Sequence, residues 1–383
     1  MANIFEIFYR FLILGLISFG GPMAHLGYFR NIFVEKLQWL DEEAYAKLIA
    51  LSQFLPGPSS SQVGFSIGLK RGGLIGGFMA FVSFTFPSFF ILYLLASFNI
   101  SENDNNFVLG IITGLKLFAV VIVADAALGM FKSFCKSKIS KAIFIFSTIV
   151  LILFSSIYIQ FIILILSAII GSLLLKNETT TTEELKTKKI KIIPFVLFLL
   201  PLFIIPIFAS SSDSLKLFNA FYEVGTLVFG GGHVVLPLLE QSLGDMITND
   251  TFLLGYSLAQ AVPGPMFTIA SYLGASIFTN NPLLGAFIAT IAIFLPGFLL
   301  ILTFRESFES YTKKRKVLNA IAGVNAAVVG LLAAVFFNTV FPSAVNSIFD
   351  LIIVAIGLYL FQKFKISVLY MIVIFIGIGL IIA

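Results

Sequence analysis

Charge is what this sequence has least of. Only 11% of its 383 residues are charged and 59% are hydrophobic, where ordinary globular chains are about one-quarter charged and about half apolar. A mean hydropathy of +1.05 excludes a soluble domain. Cysteine is nearly missing: Cys135 stands alone, so there is no intramolecular disulfide and no cysteine metal cluster, and packing must hold the fold. No basic stripe with interleaved stacking aromatics occurs, and the net charge of +5 sits in a few loops, which removes nucleic acid from the partners to consider. G-x-x-x-x-G-K-S/T, H-E-x-x-H and C-x-x-C are all missing. No ATP motor, catalytic residue, metal or cofactor is therefore expected, and the protein is not read as an enzyme. The opening MANIFEIFYR has its first basic residue, Arg10, inside the apolar run, so it reads as mature structure rather than a basic leader.

What is present is a series of thirteen apolar stretches, beginning with 4–34, 44–69, 74–98 and 107–131 and ending with 366–383. They predict an all-α polytopic membrane protein. One hydrophilic insert, KNETTTTEELKTKKIK at 176–191, divides the chain. Laying the second half on the first exposes an internal repeat. Phe19-Gly20-Gly21 matches Phe229-Gly230-Gly231, and Gln53, Pro56, Gly57 and Pro58 match Gln260, Pro263, Gly264 and Pro265. Phe86-Pro87 matches Leu295-Pro296, and Gly114-Leu115 matches Gly323-Val324, all at offsets of 207 to 210 residues. This predicts a first repeat at 1–175, a linker with an inverting transmembrane helix at 176–213 and a second repeat at 214–383.

Lysine and arginine mark cytoplasmic loops. The matched loops carry opposite character: 30–47 is basic where 240–252 is not, and 99–106 is neutral or acidic where 305–316 is strongly basic. Two inverted-topology repeats follow. Residues 4–34 and 44–69 begin and end near cytoplasmic markers and are broken midway by Gly20-Gly21-Pro22 and Pro56-Gly57-Pro58. We read them as re-entrant broken-helix hairpins. Full spans would give the same number of segments but place Arg30, Lys36 and Lys47 on the wrong side. The N-terminus is expected in the cytoplasm and the C-terminus outside.

Broken backbone in mid-membrane costs several kcal/mol per unsatisfied group in lipid, so it is tolerated where it lines a cavity. Half-helix N-termini there offer free N–H groups to an anion. The helices after Pro22, Pro58, Gly232 and Pro265 are the candidate cradles, with Gly20, Gly21, Gly57, Gly231 and Gly264 at their breaks. Donors that suit a tetrahedral oxyanion lie beside them: His25, Ser59, Ser60, Ser61, Gln62, His233 and Thr268, with Gln53 and Gln260 three residues before each Pro-Gly-Pro. His25 aligns with Val235 and His233 with Met23, so a hydrogen-bonded packing role suits either equally. Intramembrane charge adds Lys116, aligned with Asn325, as an anion-attracting candidate, and Asp125 and Glu223 as proton carriers. Lys116 and Asp125 fall on opposite faces of their helix; a snorkelling lysine, or one paired with a carboxylate such as Asp125 of a neighbouring subunit, is the alternative.

SFGGPMAHLGYFRNIFVEKLQWL followed by LSQFLPGPSSSQVGFSIG, and LVFGGGHVVLPLLE with LAQAVPGPMFTIASYLGA, resemble the signatures of the chromate ion transporter family in its long-chain, two-domain form. The resemblance covers residues 4–340. It implies export of chromate coupled to the proton gradient from the plasma (inner) membrane, with sulfate as a close analogue, and leaves a homodimer open. A permease for sulfate or another small anion is the alternative. A membrane-embedded enzyme would need convergent acid, base or metal groups, and a scaffold would not need four matched breaks. The second half departs from the first in having GGGH for GGP and Met-Phe-Thr for the serine run.

The inverted reading predicts that, in a chain freed of Cys135, single cysteines at Asn103 and Asn280 react with an impermeant maleimide from outside, while those at Lys36 and Lys314 react only from the cytoplasm. Labelling of loops 99–106 and 305–316 from one side would end that reading.

Overall fold

The computed structural model describes residues 4–19, 21–98, 106–154, 156–175, 190–229, 235–308 and 315–382, and every regular element among them is helical. The first half comprises α1 (Ile4–Ile17), α2 (Gly21–Phe29), α3 (Glu42–Phe54), α4 (Ser59–Ser97), α5 (Asn106–Phe134), α6 (Lys138–Leu153) and α7 (Ile157–Leu174). After α8 (Ile192–Phe208) come α9 (Asp213–Leu227), α10 (Val235–Leu243), α11 (Asn249–Ala261), α12 (Ile269–Ile277), α13 (Pro282–Phe304), α14 (Arg315–Val335), α15 (Phe341–Ala344), α16 (Ile348–Phe364) and α17 (Val368–Ile382). Two π-helical turns, Arg30–Lys36 and Phe336–Val340, prolong α2 and α14. Among the described residues five helical stretches are long and apolar enough to cross a membrane: 59–97, 109–134, 192–211, 282–304 and 315–344. The protein is an all-α polytopic membrane protein, since in lipid only helices or closed barrels satisfy their own backbone.

α4 is not one rod. Gly72 (φ −136°, ψ 21°) and Gly73 (φ 65°, ψ −159°) reverse it into arms 59–71 and 74–97. The arms touch so closely that a Cβ on Gly68 would lie 2.7 Å from that of Ala80. In the second half the same approach recurs between α12 and α13, where a Cβ on Gly274 would lie 2.6 Å from that of Ala289. There the turn is made by separate residues, with the Asn281 side chain capping α13 through the Leu284 N–H and Pro282 at its first turn.

The short helices at each break run out and back. A straight helix would hold residues 6 and 33 about 40 Å apart. Instead Arg71 lies 4.0 Å from Glu6 and 5.0 Å above the ring of Trp39, which packs 4.8 Å from Phe33. Phe33 in turn stacks on Phe11 of α1 at 4.7 Å. Arg30 binds Glu42 and Glu35, the latter at 2.7 Å, so α2 and α3 also meet at this end. In the second half the Ser242 hydroxyl donates to the Ala220 carbonyl at 2.9 Å, tying α10 antiparallel to α9, and a Cβ on Gly255 of α11 would meet the Tyr272 ring of α12 at 2.5 Å.

The two halves interlock. α14 packs most extensively on α7 and α6 of the first half, and α5 packs most extensively on α17, and also on α16, of the second. The contacts use matched glycines: a Cβ on Gly114 would lie 2.1 Å from the Phe375 carbonyl oxygen, and one on Gly323 would lie 2.1 Å from that of Ser167. Small residues permit such backbone approach where no hydrophobic force drives helices together in lipid. α8 has no buried residue and leans on α13 and α9. Its start is fixed by the Lys191 N–H donating to Thr303 O at 3.2 Å and the Lys191 ammonium 2.9 Å from Glu306, which holds that carboxyl below its ordinary value. Cys135, buried in the α5–α6 turn, has its thiol pushed up to about 11 by burial and is a poor nucleophile.

Gly114→Ala and Gly323→Ala should each destabilise the protein by about 1–3 kcal/mol through overpacking against backbone. Gly129→Ala, whose Cβ meets nothing within 4 Å, should leave the melting temperature in detergent unchanged. Equal melting temperatures for all three variants would contradict the interlock.

Candidate functional site

In Pro56-Gly57-Pro58 and Pro263-Gly264-Pro265 only the glycine carries an amide hydrogen. Both glycines hold a positive φ, 123° at Gly57 and 111° at Gly264, which a side chain would strain. Each sends its single N–H across to the other half. Gly57 N–H donates to Val228 O at 2.7 Å and Gly264 N–H to Ser18 O at 2.9 Å. Val228 and Ser18 are the matched residues just before the Phe-Gly-Gly segments. The Pro-Gly-Pro break of one half therefore rests on the Phe-Gly-Gly break of the other, twice, and all four breaks lie together.

Side chains complete the junction. Gln62 Nε2 donates to Pro56 O at 2.9 Å and to Gly297 O at 3.2 Å, joining the first break to the segment after Pro296. His25 is fully buried, with Nε2 3.2 Å from Ser18 O and Nδ1 3.2 Å from Ser60 Oγ. Because a carbonyl can only accept, Nε2 carries the hydrogen and Nδ1 accepts from the hydroxyl. Ser18 O thus receives two hydrogen bonds, one from each half. Its imidazole edge meets Phe84 at a centroid distance of 5.4 Å.

Two helices start at this junction without a cap. The arm 59–71 has Pro58 as its N-cap with no side-chain bond, leaving the N–H groups of Ser59, Ser60 and Ser61 without an intrahelical acceptor before Gln62 N–H closes on Pro58 O. The segment after Pro265 is likewise uncapped by a side chain; Thr268 spends its N–H and its hydroxyl on Pro265 O, leaving the N–H groups of Met266 and Phe267. α2 starts at Gly21, whose φ is +76° and beside which a Cβ would meet nothing within 4 Å. Ser61 Oγ, Gln62 Oε1, Ser18 Oγ and Thr85 Oγ1 are buried without a partner. Backbone N–H groups at helix starts and spare hydroxyls form an arrangement that accepts an anion.

The remaining expected residues divide. Gln260 is half-buried, with Nε2 3.3 Å from Met266 Sδ, and belongs to the junction; Gln53 is exposed. Lys116 does not reach the breaks. Its ammonium is 2.7 Å from Asp250 in the first turn of α11, about 16 Å along that helix from the break at its other end. The partner is thus Asp250 of the same chain, and the lysine climbs toward a carboxylate that is 67% exposed. Ser257 Oγ donating to Leu115 O at 2.9 Å fixes α5 beside α11. Asn325 lies on α14 with its Oδ1 buried and unpartnered. Asp125 accepts from Gln362 Nε2 at 3.1 Å and lines an open cavity of about 460 Å³ with Lys132 and Lys365. Glu223 accepts from Asn219 of its own helix at 2.8 Å. Gly20, Gly231, Gly232 and His233 lie outside the described residues. Ser18 was missed by sequence reasoning; its position beside the repeated Phe-Gly-Gly was the available signal.

The sequence profile of the chromate transporter family matches the chain twice, at residues 5–172 and 215–381. The chain belongs to the chromate transporter family. Among its relatives, an uncharacterized transporter of Methanocaldococcus jannaschii is 28% identical over 86% of this chain and 83% of its own. A probable chromate transport protein of Synechococcus elongatus is 28% identical over 84% and 81%, and the chromate transport protein of Pseudomonas aeruginosa 24% identical over 86% and 79%. No solved structure matches. As a chromate transporter family member this is a multi-pass membrane transporter, and its named relatives are transport proteins.

His25→Leu should remove the donor to Ser18 O and leave the Ser60 hydroxyl without an acceptor, costing about 1–3 kcal/mol for the buried groups. A detergent-solubilised variant that melts with the wild type would show that the histidine does not hold the junction.

Proposed function

We propose that this protein is a secondary transporter exporting chromate across the plasma membrane, coupled to the proton gradient, and that the anion binds where the four breaks meet. The observation that carries the reading is the reciprocal pair Gly57 N–H to Val228 O and Gly264 N–H to Ser18 O. It gathers uncapped helix starts from both halves around one level of the molecule, the device by which inverted-repeat transporters hold an anion at mid-membrane. The out-and-back course of the short helices and the collection of Glu6, Arg30, Trp39, Glu42 and Arg71 at one end support re-entrant hairpins entering from the cytoplasm, with the N-terminus inside and the C-terminus outside. The matched contacts support repeats at 1–175 and 214–383, turned over by the segment 176–213.

Within this reading Ser59, Ser60, Ser61 and Gln62 supply first-half contacts, and Met266 to Thr268 offer backbone donors from the second. Gly21, which starts α2, belongs to the Phe-Gly-Gly side of the same junction. Lys116, held by Asp250 where α5 packs on α11, acts ahead of the junction as an electrostatic attractor, and Asn325 is its uncharged counterpart. Chromate and sulfate are both tetrahedral dianions and compete for the same donors.

Uptake of radiolabelled chromate and sulfate into proteoliposomes, with and without an imposed pH gradient, tests the assignment; gradient-independent leakage identical to empty liposomes would end it. Gly57→Leu should abolish flux in protein that still purifies from the membrane. Asp250→Asn should release Lys116 and raise apparent anion affinity a few-fold, whereas Lys116→Gln should lower it and Lys116→Arg should not. Unchanged affinity in Lys116→Gln would remove that residue from the path.

A further inference from the structure

One acidic side chain has no part in the junction and no cation beside it. Glu240, half-buried on α10, accepts a hydrogen bond from the Thr339 hydroxyl at 2.8 Å, and among the described residues no basic group pairs with it. The matched position in the first half, Arg30, is the opposite case: Glu35 and Glu42 neutralise it at the basic end of the molecule. On the elements packed against α10, α9 carries Asp213, Lys216, Tyr222 and Glu223, of which Glu223 is bonded to Asn219 and Tyr222 to Phe198 O; α14 carries Arg315 and Lys316 only at its far end. α7 carries no charged residue, and the turn after α10 carries Asp245. A neutral hydroxyl is therefore what holds this carboxyl.

Thr339 belongs to the π-helical turn Phe336–Val340, a local widening of the kind found at functional positions. Asn338 of the same turn donates to Ile152 O at 3.3 Å, which brings the α6–α7 connection alongside. Unpaired polar atoms concentrate on the helices that pack there. Gln241 Oε1, next to Glu240, is buried without a partner. Gln160, near the start of α7 and 1% exposed, has neither amide atom bonded, and Ser147 Oγ, 0% exposed, is unbonded where α6 crosses Gly330. Buried amides and hydroxyls of this sort are what ordered water bridges.

We propose that Glu240 is the proton-carrying carboxyl of the transport cycle, reached through water held by Gln160 and Gln241. The step is a simple transfer: a proton leaves hydronium for a Glu240 oxygen, giving a neutral carboxyl, and later returns to water on the other side. This rests on the transporter reading and deepens it, because it assigns coupling to α10 rather than to Asp125 or Glu223.

Full-length protein in proteoliposomes decides it by two assays, anion counterflow at equal pH and accumulation driven by a pH gradient with an internal pH dye. Glu240→Gln should keep counterflow and lose accumulation by about ten-fold or more, within the range of a site-to-site coupling, and the dye signal should vanish. Glu240→Asp should restore part of both. Accumulation and proton flux equal to wild type in Glu240→Gln would overturn the proposal. If that variant fails to fold, Gln160→Leu should slow proton flux while counterflow persists, and an unchanged proton-to-anion ratio would overturn it equally. A wild type that shows no counterflow of chromate or sulfate would instead sink the transporter reading, and this proposal with it.

Discussion

A Pro-Gly-Pro segment deep in an apolar molecule has a single amide hydrogen to satisfy, and the direction it takes governs everything around it. In lipid an unpaired donor is prohibitively costly, and the flanking prolines offer no local alternative. Both Pro-Gly-Pro segments resolve this by bonding to a carbonyl in the opposite half. Once Gly57 is on Val228 and Gly264 on Ser18, the short helices on either side must end and begin at the same level. Their unspent N–H groups then face a common region, and His25 and Gln62 are needed to satisfy the carbonyls that the breaks expose. The candidate site and the defect in regular structure are one feature.

The same logic of backbone meeting backbone holds the rest of the molecule. Gly114 and Gly323 let α5 and α14 approach the closing helices of the other half, so the larger core is shared between the halves, while a smaller one around Phe11, Phe33 and Phe84 belongs to the first half. Rearrangement during a transport cycle must preserve these crossings or break them as a pair. The hairpins α1–α2 and α9–α10 pack through α1 on α4 and α9 on α13, with polar ties at their ends, Arg30 with Glu35 and Glu42 in one case and Glu240 with Thr339 in the other. A paired arginine at one end thus faces a carboxyl held by a hydroxyl at the matched position.

Charge in this chain was visible in the sequence, but its meaning was not. Lys116 stands well inside an apolar run, and only the fold shows that its four-carbon stem carries the ammonium back to Asp250, 134 positions later. Asp125, nearer the cytoplasmic end of the same run, lies beside Lys132 and Lys365 in an open cavity. Glu240 sat in a motif already singled out for its glycines and passed without notice, because an acidic residue at the end of an apolar run resembles an ordinary boundary.

The sequence alone determined the class of the molecule, its division by the 176–191 insert, the matched breaks and the distribution of basic loops. These are properties of composition, of proline and glycine spacing, and of charge, and each acts locally. Which break meets which could not be read there: a repeat says that Gly57 and Gly264 are equivalent, not that each binds the other half. The exchange of closing helices was hidden for the same reason, since Gly323 fits a carbonyl of α7 or of α17 equally well on paper. Hydropathy records how much a segment avoids water, whereas partner choice depends on the three-dimensional placement of individual donors and backbone surfaces, and only the tertiary structure fixes that.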